Sequence, residues 1–281
     1  MDPHPVDRAA PASSGWSTLH RHHIGIDVGS ASITYAVVDT AAGRTTGPVR
    51  KVPTPDPASP VAVAEVLWAL VEALSAEPRA PHPEASVGVA LPAIIRHGVA
   101  RSAAHIDDAW IGLDVGRFLT DRLGRAVHVI NDADAAGLAE AHYGAGRGEA
   151  GRAVTGTVLV ITLGAGIGSA LIVDGRLVPN LELGHLEIDG AAAEVLASAA
   201  AREREGLDWP AYAERLQRYL SHLEFLFSPD LIVVGGGICV DHEQFLPRLR
   251  LGSPVVPAGL RDAAGVIGAA RHAYLALPPL G

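Results

Sequence analysis

A single cysteine, Cys239, and a single lysine, Lys51, stand in a chain of 281 residues. One thiol excludes an intramolecular disulfide and a cysteine-built zinc site. No apolar run reaches the roughly 20 residues that a membrane-spanning helix needs. The N-terminal stretch lacks the charged-then-apolar order of a secretory signal. Basic charge is scarce: 22 Lys+Arg face 31 Asp+Glu, for a net charge of −9. That balance argues against nucleic acid as the main partner, because phosphate backbones need a basic face. Apolar residues make up 48% of the chain, enough for a large core. The length permits two domains around a shared cleft. The expectation is a soluble, cytoplasmic protein with no membrane segment.

Residues 1–20 are rich in Pro, Ala, Ser and His without periodicity and read as a disordered tail. His20, His22 and His23 have no Cys or carboxylate at ligand spacing, so a metal site there is not expected. Two short apolar runs then flank Gly29-Ser30-Ala31-Ser32, a hairpin signal, with Asp27 ending the first run. A third strand is expected over Val49 to Val52. Ser59 and Pro60 mark a helix start, and Val63, Leu67, Leu70, Val71 and Leu74 form its apolar stripe. A buried strand covers Ser86 to Leu91. A hairpin turns at His97-Gly98, and Asp114 opens a short amphipathic helix. After a Gly- and Arg-rich loop over Gly144 to Gly156, strands are expected at Thr157 to Leu163 and Ser169 to Val173. Helices follow over Ala191 to Glu205 and Trp209 to Phe227. Leu231 to Val234 is a buried strand, and a helix over Asp262 to Leu277 closes the chain. Each half opens with a strand, a glycine turn and a strand, then alternates helices with strands. The order predicts an α/β fold of two related domains with a cleft between them.

The chain is organised around Val127 to Gly137, where a β-branched run ends in Asn131-Asp132 and an Ala-rich helix begins at once. The junction places a carboxylate and a carboxamide at a strand's C-terminal edge, where open α/β sheets bind ligands. A helix N-terminus favours an ionised carboxylate there. Such an Asp can take the proton of a substrate hydroxyl that the neighbouring amide holds. It can equally be a plain N-cap, and the junction alone leaves both readings open.

Gly164-Ala165-Gly166-Ile167-Gly168 lies between two strands, so it is not a dinucleotide fingerprint, and no P-loop pattern is present. A hairpin tip stripped of side chains still lets backbone N–H groups approach phosphate oxygens. Two such hairpins, one per half, suggest a phosphate clamp. Asp27 would hold Mg²⁺ through water, because that ion takes few direct carboxylates. Gly235-Gly236-Gly237 lets a flat ring or a phosphate chain lie on backbone, or simply starts a helix. The run from Asp132 to Gly137 lacks the ligands of a calcium loop, since Ala136 and Tyr143 stand where oxygens are needed. Glu182, His185 and Glu187 supply two carboxylates and an imidazole within six residues. They suit the hydroxyls of a sugar ring, or form a solvated loop.

Together these stretches resemble the ROK family of sugar kinases, within the actin-like ATPase superfamily of ribonuclease H-like folds. The branch they resemble most is that of bacterial polyphosphate glucokinases. The resemblance runs from about Ile24 to Ala270 and is carried by Asn131 to Glu140, Glu182 to Gly190, Arg215 to Glu224 and Ser228 to Gly237. It implies two α/β domains, a small one over 21–131 plus 262–281 and a large one over 132–261. It implies that Asp132 is the general base for the 6-hydroxyl of glucose or a related hexose. Asn131, Glu182, His185 and Glu187 would hold the other hydroxyls, with Pro92 and His105 nearby. Asp27, Gly29, Ser30, Gly164, Ala165, Gly166 and Gly168 would clasp a phosphoryl donor, polyphosphate or ATP. Gly235, Gly236 and Gly237 would lie near adenosine. It further implies Mg²⁺ dependence and a homodimer. The family's frequent cysteine-rich zinc motif is missing, as in that branch.

The departures concern the donor. Ser30, Ala31, Ser32 and Thr34 replace Gly, Thr, Gly and Lys of the first phosphate motif, and Ala165 replaces Thr in the second. A hydrogen bond to a charged group is worth roughly 1.5–3 kcal/mol, so each loss is about ten- to a hundredfold. Ala93 and His105 replace the usual Gly and Asn near the sugar. Three readings follow: a hexose kinase, a kinase for a modified (amino) sugar, and a sugar sensor with little turnover.

Overall fold

The structure, a computed structural model, describes residues 21–77, 80–147 and 154–276. The tail expected over 1–20, part of the Gly144 to Gly156 loop and Leu277, the last residue expected in the closing helix, lie outside them.

The first half contains β1 (His22–Val28), β2 (Ser32–Asp39), β3 (Arg44–Thr45), β4 (Arg50–Pro53), α1 (Pro60–Ser75), β5 (Val87–Leu91), β6 (Ile95–Arg96) and β7 (Val99–Ala100). It continues through α2 (Val115–Leu123) to β8 (Val127–Asn131) and α3 (Asp132–Tyr143). The second half contains β9 (Thr157–Leu163), β10 (Ile167–Val173), β11 (Arg176–Val178), β12 (Glu187–Ile188), β13 (Ala191–Ala192), α4 (Ala193–Ala197) and α5 (Ala199–Glu205). Then come α6 (Trp209–Phe227), β14 (Leu231–Gly235), α7 (His242–Phe245), β15 (Val255–Pro257) and α8 (Ala264–Leu275).

One sheet runs β3-β2-β1-β5-β8, with β4 also on β2; the other runs β11-β10-β9-β14-β15. In each, a glycine hairpin supplies two antiparallel strands; β3 and β4 join the first hairpin and β11 the second, also antiparallel, while β1-β5-β8 and β9-β14-β15 pair in parallel. The parallel register sets Asp27 beside Ala90 and Leu91 beside Asn131. The C-terminal ends of β1, β5 and β8 therefore share one edge, where such sheets receive ligands.

Local chemistry fixes the helix starts. Ser59 caps α1 with Pro60 in its first turn, Asp114 caps α2 and Asp208 caps α6. The α1 stripe Val63, Leu67, Leu70, Val71 and Leu74 is buried against the first sheet. Tyr212, Leu216, Tyr219, Leu220 and Leu223 of α6 enter the core of the second. Between the sheets lie α3 and α8, which pack on each other, α8 also on β1 and β5 and α3 also on β9 and β10.

Three expectations need correction. The helix expected over Ala191 to Glu205 is two helices after a β-bridge, broken at Ser198, whose Oγ accepts the Ala201 N–H at 3.0 Å and caps α5. The closing helix begins at Ala264 after a 3₁₀ turn over Arg261–Ala263, not at Asp262. Asp132 is not an N-cap: Asn131 caps α3, its Oδ1 accepting the Asp134 N–H at 3.0 Å.

Candidate active site

Two adjoining cavities lie at the shared edge of the sheets. The larger, about 520 Å³, is lined by Gly29, Ser30, Pro92, Ala93, His105, Asn131, Asp132, Glu182 and His185, and by the hairpin Gly164, Ala165, Gly166 and Gly168. The smaller, about 210 Å³, is lined by Asp27, Asp132 and Gly235, Gly236 and Gly237. Asp132, Ala133, Thr162 and Gly236 face both. Asp132 is thus the carboxylate at their junction. Of the residues assigned to the base, the sugar or the donor, Glu187 alone lines neither cavity. It is exposed on β12 opposite Ala192 of β13.

The local fold explains the placement. With Asn131 as cap, Asp132 is the first residue of α3, and its Oδ1 accepts the Ala133 N–H at 2.8 Å. The Asn131 Nδ2 donates to the Ala93 carbonyl at 3.2 Å, tying the end of β8 to the turn after β5. One donor and one acceptor position of that amide are thereby used, and it has two of each. A Cβ on Gly168 would crowd Ala133 and the Thr162 hydroxyl, so glycine lets the hairpin meet the start of α3. Gly236 has φ +89°, and a Cβ there would overlap the Leu163 backbone. His105 has a left-handed backbone, φ +59°. Asn, Asp and His are the non-glycine residues enriched in that region, so His suits the position.

Charge is concentrated at the junction. Burial lifts the Asp132 carboxyl to about 6, with the Ala133 N–H opposing and Glu182 adding to the rise. Burial and the Asp132 charge lift Asp27 to about 7. The helix N-terminus was expected to keep Asp132 ionised; desolvation outweighs that effect and brings it within reach of neutral pH. Burial also raises Glu182, which His185 pulls down and Glu194 pushes up.

Several contributors had no visible role in the sequence. Glu194 on α4 lines the larger cavity and lies 3.6 Å from the His185 Nδ1. The buried Ser169 hydroxyl donates to the Leu181 carbonyl at 2.7 Å and accepts the Leu183 N–H at 3.0 Å. Asn180 gives its N–H to the Asp134 Oδ2 at 2.8 Å and pairs its side-chain amide with both backbone groups of Ile95. The loop carrying Glu182 is therefore held from both sides. Ser169 was visible only as a non-glycine after Gly168; contacts such as Asn180 with Ile95 leave no local pattern.

Two sheets, each opened by a glycine hairpin, with a carboxylate between two cavities, define the class as the actin-like ATPase fold. The ROK family pattern matches residues 23–203, and the chain belongs to the ROK family. It is 41% identical over 255 residues to polyphosphate glucokinase of Mycobacterium tuberculosis strain CDC 1551, covering 90% of this chain and 92% of that one. It superposes on the inorganic polyphosphate/ATP-glucomannokinase of Arthrobacter sp. strain KM with a TM-score of 0.85 at 57% identity, covering 90% and 98%. A ROK family glucokinase from Streptomyces griseus, in complex with glucose and AMPPNP, shares the fold: TM-score 0.74, 24% identity, covering 89% and 98%.

Proposed function

We propose that the chain is a sugar kinase that phosphorylates the 6-hydroxyl of glucose or a related hexose from polyphosphate or ATP. The observation that carries this reading is Asp132 at the junction of the two cavities, with Glu182 and His185 across the larger one. The larger cavity takes the hexose. Asn131, Glu182 and His185, with His105, hold its hydroxyls so that one faces Asp132. The smaller cavity and the two hairpins take the donor. As the hydroxyl oxygen bonds to the terminal phosphorus, its proton passes to Asp132. The bond from that phosphorus to the donor's bridging oxygen breaks, and the shortened donor leaves with the electron pair. A base with a pKa near 6 is ionised at neutral pH and close enough to it for efficient transfer.

Mg²⁺ suits the site. Asp27 and Asp132 are both raised in one cavity, and a cation relieves both. Asp27 would hold it through water, and it would neutralise charge on the donor. The sheets support the division into 21–131 with 262–281 and 132–261, since each sheet is confined to one part. Among the described residues no helix is long and apolar enough to cross a membrane. A homodimer in the cytoplasm completes the proposal.

A coupled assay over glucose, mannose and amino sugars, with polyphosphate and with ATP, tests it. Turnover of glucose by the parent and its loss in Asp132→Ala are expected. An equally active Asp132→Ala protein refutes the base, and turnover of amino sugars alone refutes the acceptor. Sugar binding without turnover means a sensor.

A further inference from the structure

We propose that Arg261 is the side chain that grips the phosphate chain of the donor, held in place by Glu140. The inference rests on the assignment of the smaller cavity to the donor. That cavity is rich in carboxylates: Asp27, Asp132, Glu140 and Asp262 all line it. Among the described residues Arg261 is the only arginine or lysine lining it, and none lines the larger cavity. A phosphate chain entering this surrounding meets repulsion from fixed carboxylates, and Arg261 is the protein's own permanent positive charge there.

Three features single out this arginine. It is exposed, and its guanidinium has no hydrogen bond or ion pair among the described residues. Its backbone is left-handed, φ +50°, a conformation that glycine adopts without strain and arginine does not. The loop before it is pinned by a buried acid that Arg261 does not neutralise. Glu140 of α3 is 1% exposed. Its Oε1 accepts the Leu260 N–H at 2.7 Å, and its Oε2 accepts those of Gly259 at 3.0 Å and Ala145 at 2.8 Å. Both carboxylate oxygens are thus occupied by backbone. Glu140 acts as a positioning residue that fixes where Arg261 begins. The guanidinium fork matches two phosphate oxygens at once, which a lysine cannot do.

The test uses the full chain with Mg²⁺ and compares the parent with Arg261→Ala, Arg261→Lys and Glu140→Gln. Donor and hexose are varied separately in kinetics, and tripolyphosphate binding is measured by calorimetry without hexose. Arg261→Ala is expected to raise the donor KM and the tripolyphosphate Kd by roughly ten- to a hundredfold, the worth of a charged hydrogen bond. Glucose KM and thermal midpoint should stay near the parent's. Arg261→Lys should recover part of the loss, and Glu140→Gln should weaken donor binding while also lowering the midpoint. Unchanged donor KM in Arg261→Ala overturns the proposal, as does an equal rise in both KM values. If the parent turns over no hexose, the kinase reading fails on its own, and calorimetry still decides. Tripolyphosphate bound by the parent and lost in Arg261→Ala upholds Arg261; equal binding, or none by the parent, sinks it.

Discussion

The buried carboxylate of Asp134 accepts the backbone N–H of Asn180 at 2.8 Å, joining the helix that carries Asp132 to the loop that carries Glu182. The Asn180 Oδ1 accepts the Ile95 N–H at 2.8 Å, and its Nδ2 donates to the Ile95 carbonyl at 2.9 Å. One asparagine thus links three segments beside the larger cavity. Asp132 and Glu182 are set relative to each other by this bridge, although neither takes part in it.

Removing the bridge should separate acceptor from donor effects. Asn180→Ala leaves two backbone groups of Ile95 without partners, at about 1–3 kcal/mol each. The hexose KM is expected to rise about tenfold or more, with the donor KM within about twofold, because the donor cavity shares none of these contacts. Steady-state kinetics with each substrate varied in turn measures this. Equal rises in both KM values would mean a general loss of structure.

Asp134 makes a stability prediction. Its Oδ1 is buried without a hydrogen-bond partner in the structure, and burial, with Glu182 and Asp132 adding, lifts the carboxyl to about 7 against the Asn180 N–H. A folded-state pKa above the unfolded value means that the folded chain holds a proton the unfolded chain has released. This contribution is fully present below about pH 4 and is lost as pH rises through about 7. Asp134→Asn keeps an acceptor for Asn180 and removes the charge. Its thermal midpoint should exceed the parent's at pH 8, by about 2–4 °C for each kcal/mol recovered, and the gain should shrink at pH 5. Melting curves at the two pH values decide.

The sequence made the junction at Asn131-Asp132, the two glycine hairpins and the capped starts at Ser59 and Asp114 legible, because each is a local pattern. Trp209 to Phe227 came with its boundaries, and Asp208 caps its start. The break at Ser198 was hidden because alanines on both sides favour one continuous helix. Glu187 looked equivalent to Glu182, yet its pairing on β12 carries it away from the cavity. Which of Asn131 and Asp132 caps α3 depends on backbone angles that spacing does not fix. Asn180 meets Ile95 across the chain, Glu194 comes beside His185 and Arg261 lines the smaller cavity, and only the packed chain brings these together.

Packing supplies a further prediction. A Cβ on Gly268 of α8 would overlap the backbone carbonyl of Ala135 in α3. Both helices are held by the sheets on either side, so neither can withdraw freely. Gly268→Ala should destabilise by about 1–3 kcal/mol or more, as overpacking does. Gly47→Ala, where a Cβ meets nothing within 4 Å, should stay within about 0.5 kcal/mol. Denaturant titration of both variants tests the contrast, and a tolerated Gly268→Ala would show that the helix pair is looser than its contacts imply.

The assignment of Asp132 predicts a pH profile and a clean substitution. Its carboxyl is raised to about 6, so the free enzyme should lose the ionised base as pH falls through that value. The kcat/KM for hexose should be level above about pH 7 and fall tenfold per unit below about pH 5, the form expected for one essential base. Asp132→Asn removes proton acceptance and keeps the shape. Because Asn131 provides the cap, the start of α3 should survive, with the thermal midpoint little changed. Loss of a general base is worth about 10²–10⁴ in rate, so kcat should fall by that factor while hexose affinity stays within a few-fold. Asn131→Ala should do the reverse to stability, costing about 1 kcal/mol through the lost cap. If Asp132→Asn kept its kcat, or if the low-pH fall persisted unchanged in that variant, the proton would be going elsewhere and the carboxylate between the cavities would have another role.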